Sequence, residues 1–269
     1  MRILITGAAS GLGAALAAQY LKRGDQVLIT DVAPTFHAPA GAEYLQLNVT
    51  SDAHWDRARI WVQDTWGGLD LLINNAGIAT GGRIDVEPMY EWERVIDINL
   101  LGVVRGCQTF VPMMKEAGTG HIANTASAAG LVHPPGSASY VAVKAAVVGV
   151  SESLAYELAP WGIAVSAICP AFFRTNLAAS LTGSDELMAR VAAKMVNNAT
   201  LTADEVAAKV VQGLDKRRLL VIPDKPARKA YLTKKYARRL YDKTQFGFGV
   251  RLRAMAERTP TSSTTDHKD

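Results

Sequence analysis

Apolar residues along the chain gather in short continuous runs, and the stretches between those runs carry helical periodicity. Arg2–Thr6 is the first run; it ends in a glycine loop, and Leu12–Lys22 behind it has helical character. Gln26–Asp31, rich in β-branched residues, reads as a second strand, with Glu43–Asn48, Leu69–Asn74, His121–Ala126, Ile163–Cys169 and the short Leu219–Ile222 after it. Ser51 or Asp52 caps a helix to about Trp66, and a long helical stretch covers Tyr90–Ala117, with a kink expected near Pro112. Ser139–Leu158 is helical and is stopped by Pro160; Asp204–Leu214 forms a further helix. Nearly continuous apolar strands are those buried on both faces. The alternation therefore predicts an α/β protein with a doubly wound parallel sheet, helices on both faces, in a single domain. Ligands on such a sheet sit beyond the carboxyl ends of its strands.

Composition narrows the class. Apolar residues make up 49% of the 269 and charged residues 20%, enough for a large core and unlike a disordered chain. Cys107 and Cys169 match no metal spacing, and the five histidines form no metal-binding cluster, so no metal site is expected. No apolar run reaches the length of a membrane span, and the glycine loop follows the start too closely for a signal peptide; a cytoplasmic protein is expected. The net charge of +4 is unevenly divided. Residues 216–258 hold 14 Lys and Arg against three acids, a balance of +11, whereas residues 1–215 come to −6. The basic character belongs to a C-terminal extension, and no nucleic-acid-binding motif accompanies it, so no nucleic-acid partner is expected.

Thr6-Gly7-Ala8-Ala9-Ser10-Gly11-Leu12-Gly13 joins the first strand to the first helix. Glycines there let the backbone turn tightly and approach a pyrophosphate, and the helix N-terminus offers free N–H groups to it. This is the sequence signature of a Rossmann-type dinucleotide site. Asp31 closes the second strand, 18 residues beyond Gly13. A carboxylate so placed meets the adenosine ribose hydroxyls and repels a 2′-phosphate, which favours NAD over NADP; the alternative is a strand-ending turn residue.

Tyr140 and Lys144 stand one helical turn apart on one face. A neighbouring ammonium favours the phenolate and draws a tyrosine towards working pH. The spacing alone is not specific, because Tyr231 and Lys235 repeat it. Context separates the pairs. Ser127, thirteen residues before Tyr140, ends the strand preceding its helix, where a hydroxyl can donate to a developing alkoxide. Thirteen residues before Tyr231 lies Arg218, in a charged segment.

From Arg2 to about Ile222 the chain resembles the short-chain dehydrogenase/reductase family. Gly7, Gly11 and Gly13 match its TGxxxGxG motif, Asn74-Asn75-Ala76-Gly77 its NNAG motif, and Asn99, Ser127, Tyr140 and Lys144 its catalytic tetrad. The resemblance implies hydride transfer between a nicotinamide and a carbonyl or secondary alcohol. In that scheme Tyr140 is the acid/base, Ser127 polarises the substrate oxygen, Lys144 holds the ribose, and Asn99 supports a proton-relaying water. It further implies cofactor contacts at Gly7, Ser10, Gly11, Leu12, Gly13, Asp31, Asn48, Val49, Asn75, Ala76, Gly77, Tyr140, Lys144, Pro170 and Thr175. Two positions depart from the family pattern. Ala171 replaces a glycine after the proline, and Asn48 replaces an aspartate that meets the adenine amine, which an amide oxygen can also accept. An inactive dinucleotide-binding scaffold is the competing class, but it would have lost the tyrosine, serine or lysine.

The resemblance also implies a catalytic unit over 1–224, a substrate lid at about 172–200, and a homo-oligomer built on the two long helices. The lid's apolar residues, among them Phe172, Phe173, Leu177, Met188 and Met195, either line an apolar substrate pocket or pack the lid onto the body. In the extension, Ala230, Ala237, Leu240 and Tyr241 fall on one face of a single expected helix flanked by basic residues, which fits either packing on the body or peripheral contact with an anionic membrane. Residues 259–269 are polar and expected to be disordered.

Overall fold

In the computed structural model of the protein, residues 1–174 and 184–257 are described. The expected strands form at β1 (Arg2–Thr6), β2 (Gln26–Asp31), β3 (Ala42–Gln46), β4 (Leu71–Asn74), β5 (Gly120–Thr125), β6 (Ile163–Ile168) and β7 (Leu220–Val221). They pair in parallel throughout, in the order β3-β2-β1-β4-β5-β6-β7. Why the strands read as continuous apolar runs is visible in β1. Leu4 joins the core beneath α2 (Asp52–Trp66), α4 (Gly102–Ala117) and α6 (Ala138–Leu158), whereas Ile3 and Ile5 join the core beneath α1 (Gly11–Lys22) and α8 (Ala203–Asp215). Each strand thus feeds two buried layers, as a doubly wound sheet requires. The chain reverses its winding between β1 and β4, so the carboxyl ends of these two strands flank a crevice.

The long helical stretch differs from expectation. It is divided into α3 (Met89–Ile96), a π-helical turn at Asp97–Leu101 and α4, and α4 runs on through Pro112. The irregularity lies at Asn99, whose side chain is drawn out of the helix to bond the backbone of Ile78, and Gly102 allows the widened turn to press against Val49. Single π turns inside helices mark functional sites. The helix α6 with its following turn, Ala138–Trp161, meets the length and apolarity of a membrane span at mean hydropathy 1.2. Here it flanks the sheet, packed on β6, and carries Tyr140 and Lys144.

Two further helices have no counterpart in the sequence pattern: α5 (Ala129–Val132) and α7 (Glu186–Asn197). The expected single helix in the extension is two, α9 (Lys225–Tyr236) and α10 (Arg238–Glu257), because Ala237 leaves helical geometry at φ −131° and ψ 52°. Ala230 therefore shares no helix with Leu240 and Tyr241, and the expected stripe is broken. Tyr241 and Leu252 face the body, and Leu240 is exposed. Residues 259–269 lie outside the described residues.

Candidate active site

The glycine loop is fixed by what surrounds it. Gly7 and Gly11 adopt φ of +61° and +58°, the left-handed region open to glycine. A Cβ on Gly7 would lie 2.7 Å from Ala76 Cα, and one on Gly13 would lie 2.6 Å from Asn75 Nδ2 and closer still to the Gly7 carbonyl. At Gly11 nothing lies within 4 Å. Ser10 precedes α1 without a side-chain cap, so the first-turn N–H groups of this helix have no side-chain acceptor. An open glycine beside an uncapped helix N-terminus fits the pyrophosphate of a dinucleotide.

Thr6, which opens the glycine motif but has no role assigned to it there, organises this crevice. Its hydroxyl accepts the N–H of Asn75 and of Ala76, both at 2.9 Å, while Asn75 Nδ2 donates to the carbonyls of Thr6 and Gly7. Asn74 reaches the other way, donating to Asn124 Oδ1 at 2.9 Å, and Asn124 donates to Ser151 of α6. The NNAG segment thus ties β1, β4, β5 and α6 together. Asp31 accepts the N–H of Ala9 at 3.1 Å and of Val32 at 2.8 Å, which fixes its carboxylate at the edge of the loop. Asn48 Oδ1 accepts both the N–H and the hydroxyl of Thr50. A carbonyl oxygen has two lone pairs, so the amide oxygen expected to meet an adenine amine is already engaged. Val49 is buried in the core, and its carbonyl accepts the Trp55 indole N–H.

Two of the four expected catalytic residues, Asn99 and Lys144, meet around Gly77. Asn99 is fully buried and holds Ile78 at both ends, accepting its N–H at 2.8 Å and donating to its carbonyl at 2.9 Å. One amide N–H and one oxygen lone pair of its side chain remain beyond these two bonds. A Cβ on Gly77 would lie 3.0 Å from Asn99 Oδ1 and 3.7 Å from Lys144 Nζ, so the glycine leaves room for these two groups to approach. Lys144 Nζ donates to the Thr125 carbonyl at 2.8 Å and lies 5.8 Å from the Tyr140 ring centroid. Burial lowers the Lys144 ammonium to about 8. Tyr140 departs from the expected direction. Burial raises its phenol above the usual value, and the hydrogen bond with Ser127 only partly opposes this. Desolvation of the phenolate sets the direction here. Ser127 Oγ also accepts the Ala129 N–H at 3.1 Å.

Pro170 faces this group, its carbonyl accepting the N–H of Ala128 at 2.8 Å. Ala171, standing where the family pattern has glycine, donates its N–H to the buried Asp224 at 2.9 Å. Thr175 and part of the lid, with Leu177, lie outside the described residues. At the start of α7, within the span expected to form the lid, Asp185 caps the helix and pairs with Arg83 at 2.7 Å. Burial alone would raise the Asp185 carboxyl, but hydrogen bonds from Arg83 and Met188 hold it below the usual range.

The basic extension also reaches this region. Lys234 Nζ donates to the Leu131 carbonyl and meets His133 Nδ1, both at 2.7 Å, and the Tyr241 hydroxyl donates to the Val132 carbonyl. A Cβ on Gly136 would meet Met188 and lie 3.4 Å from Leu252 Cδ1. All of these contacts fall between Ser127 and Tyr140. No sequence motif marks them, since they join positions about a hundred residues apart. Among the described residues no group of three His, Cys, Asp or Glu could hold a metal.

A dinucleotide crevice joined to a tyrosine, lysine and serine at the strand ends defines a nicotinamide-dependent oxidoreductase. Residues 1–186 match the family described as short chain dehydrogenase, and the chain belongs to that family. Its reaction is nicotinamide-dependent hydride transfer. The 3-alpha-(or 20-beta)-hydroxysteroid dehydrogenase of Mycobacterium tuberculosis is 38% identical over 180 residues, covering 65% of this chain and 69% of the relative. A Burkholderia phymatum short chain dehydrogenase/reductase, solved in complex with NAD, superposes with a TM-score of 0.82 at 26% identity, covering 98% of this chain and 97% of its own. A short-chain dehydrogenase from Sphingobium yanoikuyae in complex with NADPH covers 99% of both chains, with a TM-score of 0.69 and 26% identity.

Proposed function

We propose that the protein is an NAD-preferring dehydrogenase or reductase of an apolar secondary alcohol or its ketone, with Tyr140, Ser127, Lys144 and Asn99 as its catalytic group. The observation that carries this reading is the chain of neighbours from Ser127 to Tyr140, from Tyr140 to Lys144, and from Lys144 to Asn99 across Gly77. The bound nicotinamide supplies or takes the hydride. Tyr140 gives a proton to the substrate oxygen in reduction and takes it in oxidation. Its raised phenol keeps it proton-loaded, the state that carbonyl reduction needs. The Ser127 hydroxyl orients and polarises the same oxygen. Lys144 holds the ribose and carries positive charge near the phenol. Asn99 fixes the Ile78 backbone and the π turn, which holds the relay water beside Lys144.

NAD is preferred because Asp31 presents a fixed carboxylate to the ribose edge, while its neighbours Ser10 and Val32 offer no cation to a 2′-phosphate. Both NAD and NADPH occur among the solved relatives, so the preference rests on this residue. An apolar substrate is supported by Phe172 and Met195, large apolar side chains exposed on the lid beside buried Phe173 and Met188. The hydroxysteroid activity of the mycobacterial relative accords with it. The reading includes a catalytic unit over 1–224, a homo-oligomer built on α4 and α6, and a cytoplasmic location. Initial rates over a panel of apolar ketones and alcohols, with NAD(H) and NADP(H), test it. Tyr140→Phe should lower kcat by about 10²–10⁴ while NAD binding survives. Near-normal turnover in that variant, or higher kcat/KM with NADP(H), would overturn the corresponding part of the proposal.

A further inference from the structure

The two C-terminal helices repeat one surface design. On α9, Leu232 and Tyr236 stand one turn apart with their side chains outward, 40% and 75% exposed. Lys225, Arg228 and Lys229 surround them, and together with Thr233 they line a shallow depression of about 490 Å³. On α10, Phe246 and Val250 again stand one turn apart, 75% and 70% exposed. At 100° per residue, Arg239, Lys243 and Arg253 fall within about 40° of the axis of that pair. The opposite sides of these helices are spent on the body, through Ala227, Lys234, Tyr241 and Leu252. The outward faces are therefore fixed by intramolecular packing. From Lys225 to Glu257 the chain holds ten Lys and Arg against Asp242 and Glu257, a balance of +8.

We propose that the outward faces of α9 and α10 form a peripheral docking surface for an anionic lipid bilayer. Exposed aromatic and aliphatic side chains ringed by Lys and Arg match the boundary between headgroups and acyl chains. The apolar pairs enter that boundary while the cations stay with the phosphates and carboxylates. Charge complementarity favours lipid over nucleic acid, for which the cations alone would serve and four exposed apolar side chains would not. Because Leu252 on the other side of α10 lies over Gly136, its Cδ1 3.4 Å from where a Cβ there would stand, in the segment before Tyr140, docking would bring the cleft close to a membrane-dissolved substrate. The docking itself stands or falls independently of the substrate.

The test is co-sedimentation of the full chain with vesicles of neutral phosphatidylcholine and of phosphatidylcholine containing about 30% phosphatidylserine. Binding is expected to the anionic vesicles at low salt, with at least a tenfold preference over neutral ones, and to fall as salt screens the cations. Phe246→Ser combined with Val250→Ser, and separately Lys229→Glu combined with Lys243→Glu, should each cut binding by tenfold or more. All these positions are exposed, so unchanged melting and unchanged turnover of a water-soluble substrate show that the fold is intact. Equal binding to both vesicle types, none to either, or undiminished binding by both variants overturns the proposal. So does loss of self-association in the Phe246/Val250 variant without vesicle binding by the parent, which would make the face a contact between copies of the chain.

Discussion

Under the proposed mechanism Lys144 is the residue at which catalysis and stability are opposed, and Lys144→Met makes the opposition measurable. Burial lowers its ammonium from 10.5 to about 8, and the Thr125 carbonyl is its hydrogen-bond acceptor in the fold. At about 1.36 kcal/mol per pH unit, holding the charge in this site costs about 3 kcal/mol near neutral pH. Methionine keeps the length of the side chain and removes that cost. It also leaves the Thr125 carbonyl without its donor, a loss of about 1–3 kcal/mol. The variant should therefore be as stable as the parent near pH 7, or more stable by up to about 2 kcal/mol, while its turnover collapses. The sign of the pH dependence follows from the depressed value. The parent bears the full cost below about pH 8 and is relieved of it as pH rises from there towards 10.5. Any advantage of the variant should thus shrink, or reverse, by about 2 kcal/mol between about pH 7 and 9.5. Paired urea melts at the two pH values, with assays of kcat, give the answer. A variant less stable than the parent by more than about 1 kcal/mol near pH 7, or a stability difference that does not change with pH, would refute the account of Lys144 as a buried, costly charge.

The other expectations concern groups with different physical roles. Gly13→Ala, whose Cβ would strike the Gly7 carbonyl and Asn75, should cost about 3 kcal/mol or more and abolish NAD binding; Gly11→Ala, with open space around it, should cost about 1–2 kcal/mol of left-handed strain, and calorimetry of both variants will separate them. His121 is buried against Ser166, and burial lowers it to about 4, so it contributes stability above pH 6.5 that is lost as pH falls towards 4; His121→Asn should flatten that leg of the melting profile, by about 3 kcal/mol at its acid end. Tyr241→Phe removes the donor to the Val132 carbonyl and should lower stability by about 1 kcal/mol in urea melts, with kcat falling further than NAD affinity because the segment after Ser127 is loosened.

The sequence by itself determined the class of fold, because a strand buried on both faces must be apolar throughout and a flanking helix must be periodic. Arg2–Thr6, Gln26–Asp31 and Ile163–Ile168 stand within a residue of where that pattern puts them. It also placed the candidate chemistry, since the glycine loop and the Tyr140/Lys144 pair are local motifs whose spacing is dictated by one turn of backbone. Tertiary structure alone decided the remainder. The π turn at Asn99 depends on Ile78, twenty-one residues away, and the engagement of Asn48 depends on how Thr50 folds back on it. The direction of the Tyr140 shift was set by desolvation, which no spacing records. The packing of Lys234, Tyr241 and Leu252 against the Ser127–Tyr140 segment joins distant parts of the chain. The sequence left that extension either packed on the body or facing a membrane, and the folded body supplies the carbonyls that Lys234 and Tyr241 meet. Periodicity encodes what each element buries, but which partner it buries against is a property of the folded chain.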